Sequence, residues 1–270
     1  MRALKPLLLS AAIACGVAAC ATTTSPTGRT QYVGAVPQAE LNQLGAKAFA
    51  ELKAQKQLAP ANQQQYVRCV VNAIVAQLPA DARNMAWESA VFVDADANAF
   101  ALPGGKVGAY TGIFDVARNQ DQLAGVIAHE IGHVVSRHHD ERVTRQMGAQ
   151  AGIGILGALV GSQYGSGAAQ TTQQLGGAAV QAAFLLPNNR AQESEADIVG
   201  QRLMAEAGFN PEQAVNLWQN MIAAGGSRGP EWLSTHPEPQ SRIAELRARA
   251  ADLMPVYQQA QAAGRKPSCG

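Results

Sequence analysis

Apolar residues recur every three or four positions along most of the chain, which predicts a mainly helical protein. Two helices are predicted early, over residues 41–52 and 66–78, with Pro60 between them and Pro79 ending the second. Later stretches with the same spacing predict further helices over residues 121–134, 190–207, 210–222 and 243–253.

The spacing changes to that of strands between residues 87 and 110. Three short runs, 87–93, 98–102 and 106–110, are separated by Asp-Ala-Asp and Pro-Gly-Gly turns. They predict one small antiparallel sheet, so the expected class is α+β with helices in the majority.

Residues 1–19 form a signal peptide by their pattern, with a basic start and an apolar run too short to cross a bilayer. They end in Val-Ala-Ala before Cys20, which resembles the lipobox of bacterial lipoproteins. That resemblance implies a lipid on Cys20, and Ala21 implies sorting to the outer membrane. An ordinary secretory signal with an incidental cysteine is the alternative.

The mature chain is expected to contain three parts. Residues 20–37 are rich in Thr, Ser, Pro and Gly and predict a flexible tether from the lipid to the folded domain. A single domain is expected over 38–256, followed by a C-terminal tail over 257–270.

The charge balance narrows the kinds of partner that the protein could bind. The sequence has 21 basic and 20 acidic residues, and the signal peptide takes away only Arg2 and Lys5. The near-neutral balance argues against nucleic acid as a partner, and membrane attachment would depend on acyl chains.

Once Cys15 is cleaved off and Cys20 is acylated, Cys69 and Cys269 remain, either as a disulfide or as two free thiols.

A segment rich in Gly, Ala, Gln and Ser covers residues 148–186. Its apolar core, AGIGILGALVG, is too short and too rich in glycine for a transmembrane helix. Glycine weakens helices by about 1 kcal/mol per residue, which favours a mobile or membrane-proximal segment. A small-residue helix packed tightly against its neighbours is the alternative.

The sequence His-Glu-Ile-Gly-His at positions 129–133 carries the chemistry. On a helix, His129 and His133 lie on one face and can bind the same zinc ion, while Glu130 is placed to accept a proton from water. His138 and His139 follow as spare ligands, although a place at the surface or behind the ligands fits the helix end better.

A catalytic zinc site requires a third protein ligand. The downstream helix offers Glu193, Glu195 and Asp197. Glu193 and Asp197 share one flank of its buried face with Gly200, whose lack of a side chain permits close approach of another helix, and Glu195 lies on the other flank. The spacing leaves open which flank faces His129.

HEIGHVVSRHH followed by ESEAD resembles the metalloendopeptidases of the CAAX prenyl protease and HtpX kind, peptidase family M48, and especially their lipid-anchored periplasmic members. The likeness extends over residues 41–253 and implies a zincin-like domain with the sheet beside the HExxH helix. It implies Glu193 as the third zinc ligand and Asp197 as a proton donor or organiser of the site. It also implies that a strand matching Asn98, Ala99 and Phe100 presents its edge to the substrate backbone.

The family's late Thr-His-Pro motif and the arginine after it match residues 235–237 and Arg242. His236 could stabilise an oxyanion, occupy the open zinc position as a plug, or be an ordinary loop histidine. Arg242 is a candidate partner for a carboxylate or oxyanion, or an ordinary surface arginine.

We therefore expect an endopeptidase with one Zn²⁺, lipid-anchored at the periplasmic face of the outer membrane. The resemblance implies unfolded or misfolded outer-membrane proteins as polypeptide partners. One alternative is a chaperone-like lipoprotein with a latent or structural zinc site, and another is an enzyme dedicated to one partner. The natural substrate, the cleavage preference and the oligomeric state stay open.

Overall fold

The structure is a computed structural model that describes residues 21–164, 170, 186–224, 236 and 239–270. The predicted signal peptide, Cys20 and much of the Gly/Ala-rich segment (165–169 and 171–185) lie outside the described residues. Helices predominate in what is described, and small sheets accompany them, which confirms the expected α+β class.

The helices in chain order are α1 (Gln38–Gln55), α2 (Ala61–Val75), α3 (Ala80–Arg83), α4 (Ile113–Val116), α5 (Gln120–Val135), α6 (His138–Tyr164), α7 (Leu186–Glu206), α8 (Gln213–Ala224) and α9 (Pro239–Ala262). The strands are β1 (Ala21–Thr24), β2 (Thr30–Val33), β3 (Glu88–Phe92), β4 (Ala99–Leu102) and β5 (Lys106–Tyr110).

The chain divides into two compact units. The first unit comprises Met1–Glu40 and Arg137–Asn189, and the second comprises Leu41–Ser136 and Arg190–Gly270. The expected C-terminal tail belongs to the second unit, and α9 continues into it as far as Ala262.

In the first unit, a hairpin replaces the flexible tether that the composition suggested. β1 and β2 pair antiparallel, and the turn is closed by the Ser25 N–H donating to the Arg29 carbonyl at 2.8 Å. Gly28 supplies the positive φ of 87° that the turn requires. The prediction was wrong because the threonines, Tyr32 and Val33 favour strands, whereas the composition argument considered only loop formers.

The hairpin is fixed to α6 by charged and polar contacts. Arg29 donates to both carboxylate oxygens of Glu141 at 2.8 and 2.7 Å, and the Gly34 N–H donates to Asp140 at 2.8 Å. Both acids are almost fully buried. The apolar run at 151–161 lies within α6, and no helix among the described residues is long and apolar enough to span a membrane.

In the second unit, the strands form a mixed sheet of order β3-β5-β4. The antiparallel prediction is correct for β4 and β5, which are joined by a Pro-Gly-Gly turn with positive φ at Gly104 and Gly105. It is wrong for β3, which pairs parallel with β5. Alternation of side chains shows that a segment is a strand, but it does not encode the order of strands.

Helix α5 is the centre of the second unit. Its start is fixed by Asn119, whose side chain accepts a hydrogen bond from the Gln122 N–H at 2.9 Å. Leu123, Ile127 and Ile131 are completely buried, and α5 packs against α2, α8 and β4. The helix that carries the HEIGH motif is therefore held rigidly on several sides.

A disulfide joins Cys69 on α2 to Cys269 near the C-terminus, with 5.5 Å between their Cα atoms. The sequence left open a disulfide or two free thiols, and the structure contains the disulfide. The last residues are also fixed by Gln120, which donates to the Pro267 carbonyl at 2.8 Å and accepts from the Cys269 N–H at 2.9 Å.

Candidate metal centre

Helix α5 brings its motif side chains to one buried place. His129, Glu130 and His133 are each 3–4% exposed, so none of them is an ordinary surface residue. The two histidines are four residues apart, and their Nε2 atoms lie 3.1 Å from each other. Two ring nitrogens at this distance, each with a lone pair, favour a shared proton or cation between them.

Two glycines let α7 cross α5 in direct backbone contact. A Cβ atom on Gly132 would lie 2.8 Å from the Ala196 carbonyl oxygen, and one on Gly200 would lie 2.7 Å from that of Ala128. This crossing answers the question that the spacing left open. The flank with Glu193 and Asp197 faces His129, whereas Glu195 is buried but outside the group of potential ligands.

Four potential ligand atoms converge, all within 4.8 Å of one another, from His129, His133, Glu193 and His236. Glu193 places one carboxylate oxygen 3.3 Å from His129 Nε2 and the other 3.4 Å from His133 Nε2. A tetrahedral metal site with bonds of about 2.0–2.1 Å has ligand atoms about 3.3–3.4 Å apart. The observed separations match that geometry.

His236 lies in the same group. Its Nδ1 is 3.2 Å from His129 Nε2 and 2.7 Å from Glu193, and its Nε2 is 3.4 Å from the Glu130 carboxylate. It therefore stands where a fourth ligand would be, between the other ligands and Glu130. This placement fits the plug better than the ordinary loop histidine, while Thr235 and Pro237 lie outside the described residues.

Behind the ligands, Arg242 and Asp197 form a bidentate pair. Arg242 Nε and Nη2 donate to the two Asp197 oxygens at 2.7 Å each, and Nη1 donates to Glu193 at 3.0 Å. Asp197 in turn lies 2.9 Å from His129 Nδ1, so it can hold that proton and leave Nε2 for the metal. Arg242 is 4% exposed and is not the surface arginine of the alternative reading.

Trp218 completes this arrangement, and its role was not predicted from the sequence. Its ring centroid is 4.1 Å from the Arg242 guanidinium carbon, a distance typical of a cation–π contact. In the sequence, Trp218 belongs to the apolar stripe of α8, where it looks like any core residue. Only the packing of α8 and α9 shows which side chain it contacts.

The buried charges shift the pKa values of the group strongly. Burial alone would lower the pKa of His129, but hydrogen bonds to Asp197 and Glu193 outweigh it and raise the value to about 9. Burial would raise the pKa of Asp197, yet the Arg242 charge lowers it to about 2. The histidines likewise hold the pKa of Glu193 well below its usual value, despite burial.

The charge balance gives a second test of whether a metal fits. The site contains three buried carboxylates and one buried guanidinium, which leaves two negative charges in excess when the imidazoles are neutral, the form in which histidine binds a metal. Buried charge of one sign is costly without compensation. A divalent cation held by His129, His133 and Glu193 would neutralise this excess, so the residues fit such an ion by both geometry and charge.

Strand β4 is an edge strand of the mixed sheet and packs against α5. Because the Tyr110 N–H donates to the Asn98 carbonyl, the register directs the backbone groups of Ala99 and Ala101 away from β5. The Phe100 ring packs against Phe92 and Tyr110 on the face opposite the core. Of the three predicted substrate contacts, only Ala99 presents its backbone at the free edge.

The spare histidines do not join this group. His138 is buried and His139 half-buried in the first unit, and neither is among the potential ligands of the described residues. Neither is therefore a spare ligand, and of the two places expected for them the surface is excluded for the buried His138.

A buried helix that carries H-E-x-x-H, crossed by a second helix that supplies a further glutamate, is typical of metallopeptidases whose third protein ligand is that glutamate. The model of peptidase family M48 matches residues 61–250 of this chain, and the chain belongs to that family.

Named relatives of two kinds are similar to this chain. The mitochondrial metalloendopeptidase OMA1 of Schizosaccharomyces pombe is 34% identical over 183 residues, which cover 67% of this chain and 51% of the relative. The beta-barrel assembly-enhancing protease of Escherichia coli is 33% identical over 172 residues, covering 60% of this chain and 34% of the relative. The matched region thus spans half of the first relative and a third of the second.

Proposed function

We propose that this protein is a zinc-dependent endopeptidase. The observation that carries the proposal is the convergence of His129, His133 and Glu193 next to Glu130, in a buried site with excess negative charge. Membership of peptidase family M48 and the similarity to named metalloendopeptidases support it.

Each side chain has a role that follows from its contacts. A zinc ion held by His129, His133 and Glu193 would polarise the scissile carbonyl and lower the pKa of water, so that water loses a proton more easily and becomes a better nucleophile. Glu130 accepts the proton of that water and passes it to the leaving amine. Asp197 and Arg242 hold His129 in the required tautomer, and His236 would occupy the remaining ligand position in the absence of substrate.

The substrate would add to the sheet as a strand along the free edge of β4. The backbone groups of Ala99 and Ala101 point to that edge, and backbone pairing selects for an extended chain more than for a sequence. Since β4 packs against the metal-binding helix α5, a strand added there would run beside the site. Unfolded polypeptides are the substrates that this mode favours.

We further propose that the protein is lipid-anchored through Cys20 at the periplasmic face of the outer membrane and acts on misfolded outer-membrane proteins. The lipobox-like sequence supports the anchor. The similarity to a beta-barrel assembly-enhancing protease supports the substrate class. Fractionation of wild type and Cys20→Ala tests the anchor: loss of membrane association only in the variant is expected, and equal fractionation contradicts it.

The activity is tested on protein that lacks residues 1–20, with casein and with unfolded porin as substrates. Wild type should contain one zinc ion and cleave, whereas Glu130→Gln should keep the zinc and lose cleavage. Glu195→Gln, a buried glutamate outside the ligand group, is the matched control and should retain both. Substantial cleavage by Glu130→Gln would refute the mechanism, and capture of unfolded porin without any cleavage would indicate a chaperone.

A further inference from the structure

The outer edge of β3 is closed at one end and open at the other. In the parallel pair with β5, the Glu88 N–H donates to the Gly105 carbonyl and the Phe92 carbonyl accepts from Thr111. Backbone N–H and C=O groups of successive residues in a strand point alternately to its two sides, so those of Ser89 and Val91 face the outer edge. What covers these two residues therefore decides whether the edge is available.

At Val91 the edge is closed by the chain itself. The Gln64 side chain donates to the Val91 carbonyl at 2.6 Å and accepts from the Val91 N–H at 2.9 Å, in the manner of a neighbouring strand. The Ala59 N–H adds a bond to the same carbonyl, and the Val93 N–H donates to Gln57. Such coverage is how proteins commonly protect a strand edge.

At Ser89 the same edge borders a groove of about 350 Å³ between α2 and β3, lined by Arg68, Val71, Asn72, Trp87, Glu88 and Ser89. Gln64, Arg68 and Asn72 are spaced by four along α2 and so form one row beside the strand. Gln64 uses its amide to close the edge, whereas Arg68 and Asn72 extend past it along the groove.

The groove is lined by one positively and one negatively charged side chain, those of Arg68 and Glu88. Within the described part of the chain, Arg68 is exposed and makes no ion pair or side-chain hydrogen bond. The one carboxylate in the groove, Glu88, is paired with Lys53 at 2.5 Å and Lys106 at 3.3 Å. Arg68 can therefore bind a carboxylate supplied from outside, in the two-point geometry that suits guanidinium.

We propose that this groove is a second docking site for an extended polypeptide. A segment of the substrate pairs with the backbone of Ser89, and an acidic side chain of that segment binds Arg68. The site rests on the proposed function, because a peptidase acting on unfolded chains gains from holding them away from the metal. It uses the edge opposite to β4, so one chain can engage both edges of the sheet.

The test measures binding by fluorescence anisotropy, with the full mature chain carrying Glu130→Gln so that no turnover is required. The probes are a labelled unstructured peptide with several Asp and Glu residues and its counterpart with Asn and Gln. Arg68→Gln should weaken binding of the acidic peptide about tenfold and leave the amide peptide unaffected. Arg247→Gln, an exposed arginine on α9, is the matched control and should change neither affinity.

Ser89→Pro removes the outward N–H that would pair with the peptide backbone, so it should weaken the binding of both peptides. The variant is expected to fold, because proline is tolerated on a strand edge where its nitrogen faces solvent. If that variant unfolds, Asn72→Trp, which fills the groove from the side of α2 and leaves the sequence of the strand unchanged, gives the same comparison. In hydrogen exchange, the acidic peptide should protect the amide of Ser89 in the parent chain.

Equal affinities of parent, Arg68→Gln and Asn72→Trp for the acidic peptide would overturn the docking site. That result is separate from failure of the proposed function, which would show as absence of cleavage by wild type. A loss of affinity in Arg68→Gln that matches the loss in Arg247→Gln would also overturn it, because general charge attraction would then explain binding.

Discussion

Each compact unit contains a cluster of buried charge, and the two clusters differ in what they require. The hairpin cluster of the first unit consists of Glu141 with Arg29 and Arg145. Glu141 accepts from Arg29 at 2.7 and 2.8 Å and from Arg145 at 3.1 Å, so one negative charge meets two positive ones. Its oxygens are satisfied by donors that the chain itself supplies.

The metal cluster of the second unit, formed by His129, His133, Glu193 and His236, has the opposite balance. Potential ligand atoms face one another at 3.1–3.4 Å, and the three buried carboxylates outnumber the one buried guanidinium. A buried carboxylate is therefore no sign of a functional site by itself. The informative feature is a set of four potential ligand atoms that converge within 4.8 Å of one another.

The largest contrast is expected between two buried glutamates. Glu130→Gln removes the proton acceptor and should lower kcat/KM for casein by about 10²–10⁴-fold while zinc stays bound. Glu141→Gln should leave kcat/KM within about twofold but lower the free energy of unfolding by about 3 kcal/mol, because it breaks a buried ion pair. Initial rates and urea unfolding measure the two effects. A large loss of activity in Glu141→Gln would end the distinction between the clusters.

The arginines give the next contrast. Arg242→Met releases Asp197, and with it the orientation of His129, so zinc affinity should fall about 10–100-fold. Arg29→Met should destabilise the protein by about 3 kcal/mol without changing zinc affinity. Zinc affinities are measured by competition with a chelating dye. Arg242→Lys keeps the charge but loses the bidentate geometry, and full rescue by lysine would contradict a positioning role.

His236→Ala tests whether the fourth ligand position is closed at rest. If the open form is about one tenth of the population, removal of the plug should raise kcat/KM about tenfold. His138→Ala, a buried histidine of the first unit, is the matched control and should give no increase. A fall in kcat/KM for His236→Ala would instead assign His236 to stabilisation of the oxyanion.

The smallest effect is expected at Trp218. A cation–π contact of about 0.7–1.4 kcal/mol holds Arg242, so Trp218→Leu should weaken zinc binding about threefold to tenfold. Trp218→Phe keeps an aromatic face and should restore most of that loss. Leu217→Ala, at a neighbouring buried position, controls for simple loss of packing. Equal zinc affinities in Trp218→Leu and Leu217→Ala would show that only packing is involved.

Much of the site could be predicted because its signals are local. The spacing of His129 and His133, the helix around them and the flank shared by Glu193, Asp197 and Gly200 all follow from 3.6 residues per turn. The choice of flank needed the crossing at Gly132 and Gly200. Trp218 and Gln64 were missed because each makes its contact across elements far apart in sequence.

The errors in the fold have a similar origin. The hairpin at 21–33 was missed because Thr-rich sequence serves in both tethers and strands, and its stability depends on α6. The parallel pairing of β3 with β5 depends on β4 lying at the outside of the sheet, which no local pattern specifies. Predictions were thus most successful where one element suffices and failed where two must meet.

The central claim is that the metal cluster binds one divalent ion, and the most direct test is the metal content of the purified protein. Elemental analysis should find one zinc per chain in wild type and in His138→Ala, and none in His133→Ala. Circular dichroism and the intact Cys69–Cys269 disulfide verify that each sample is folded. Folded wild type that takes up no zinc, even when zinc is supplied, would contradict the account.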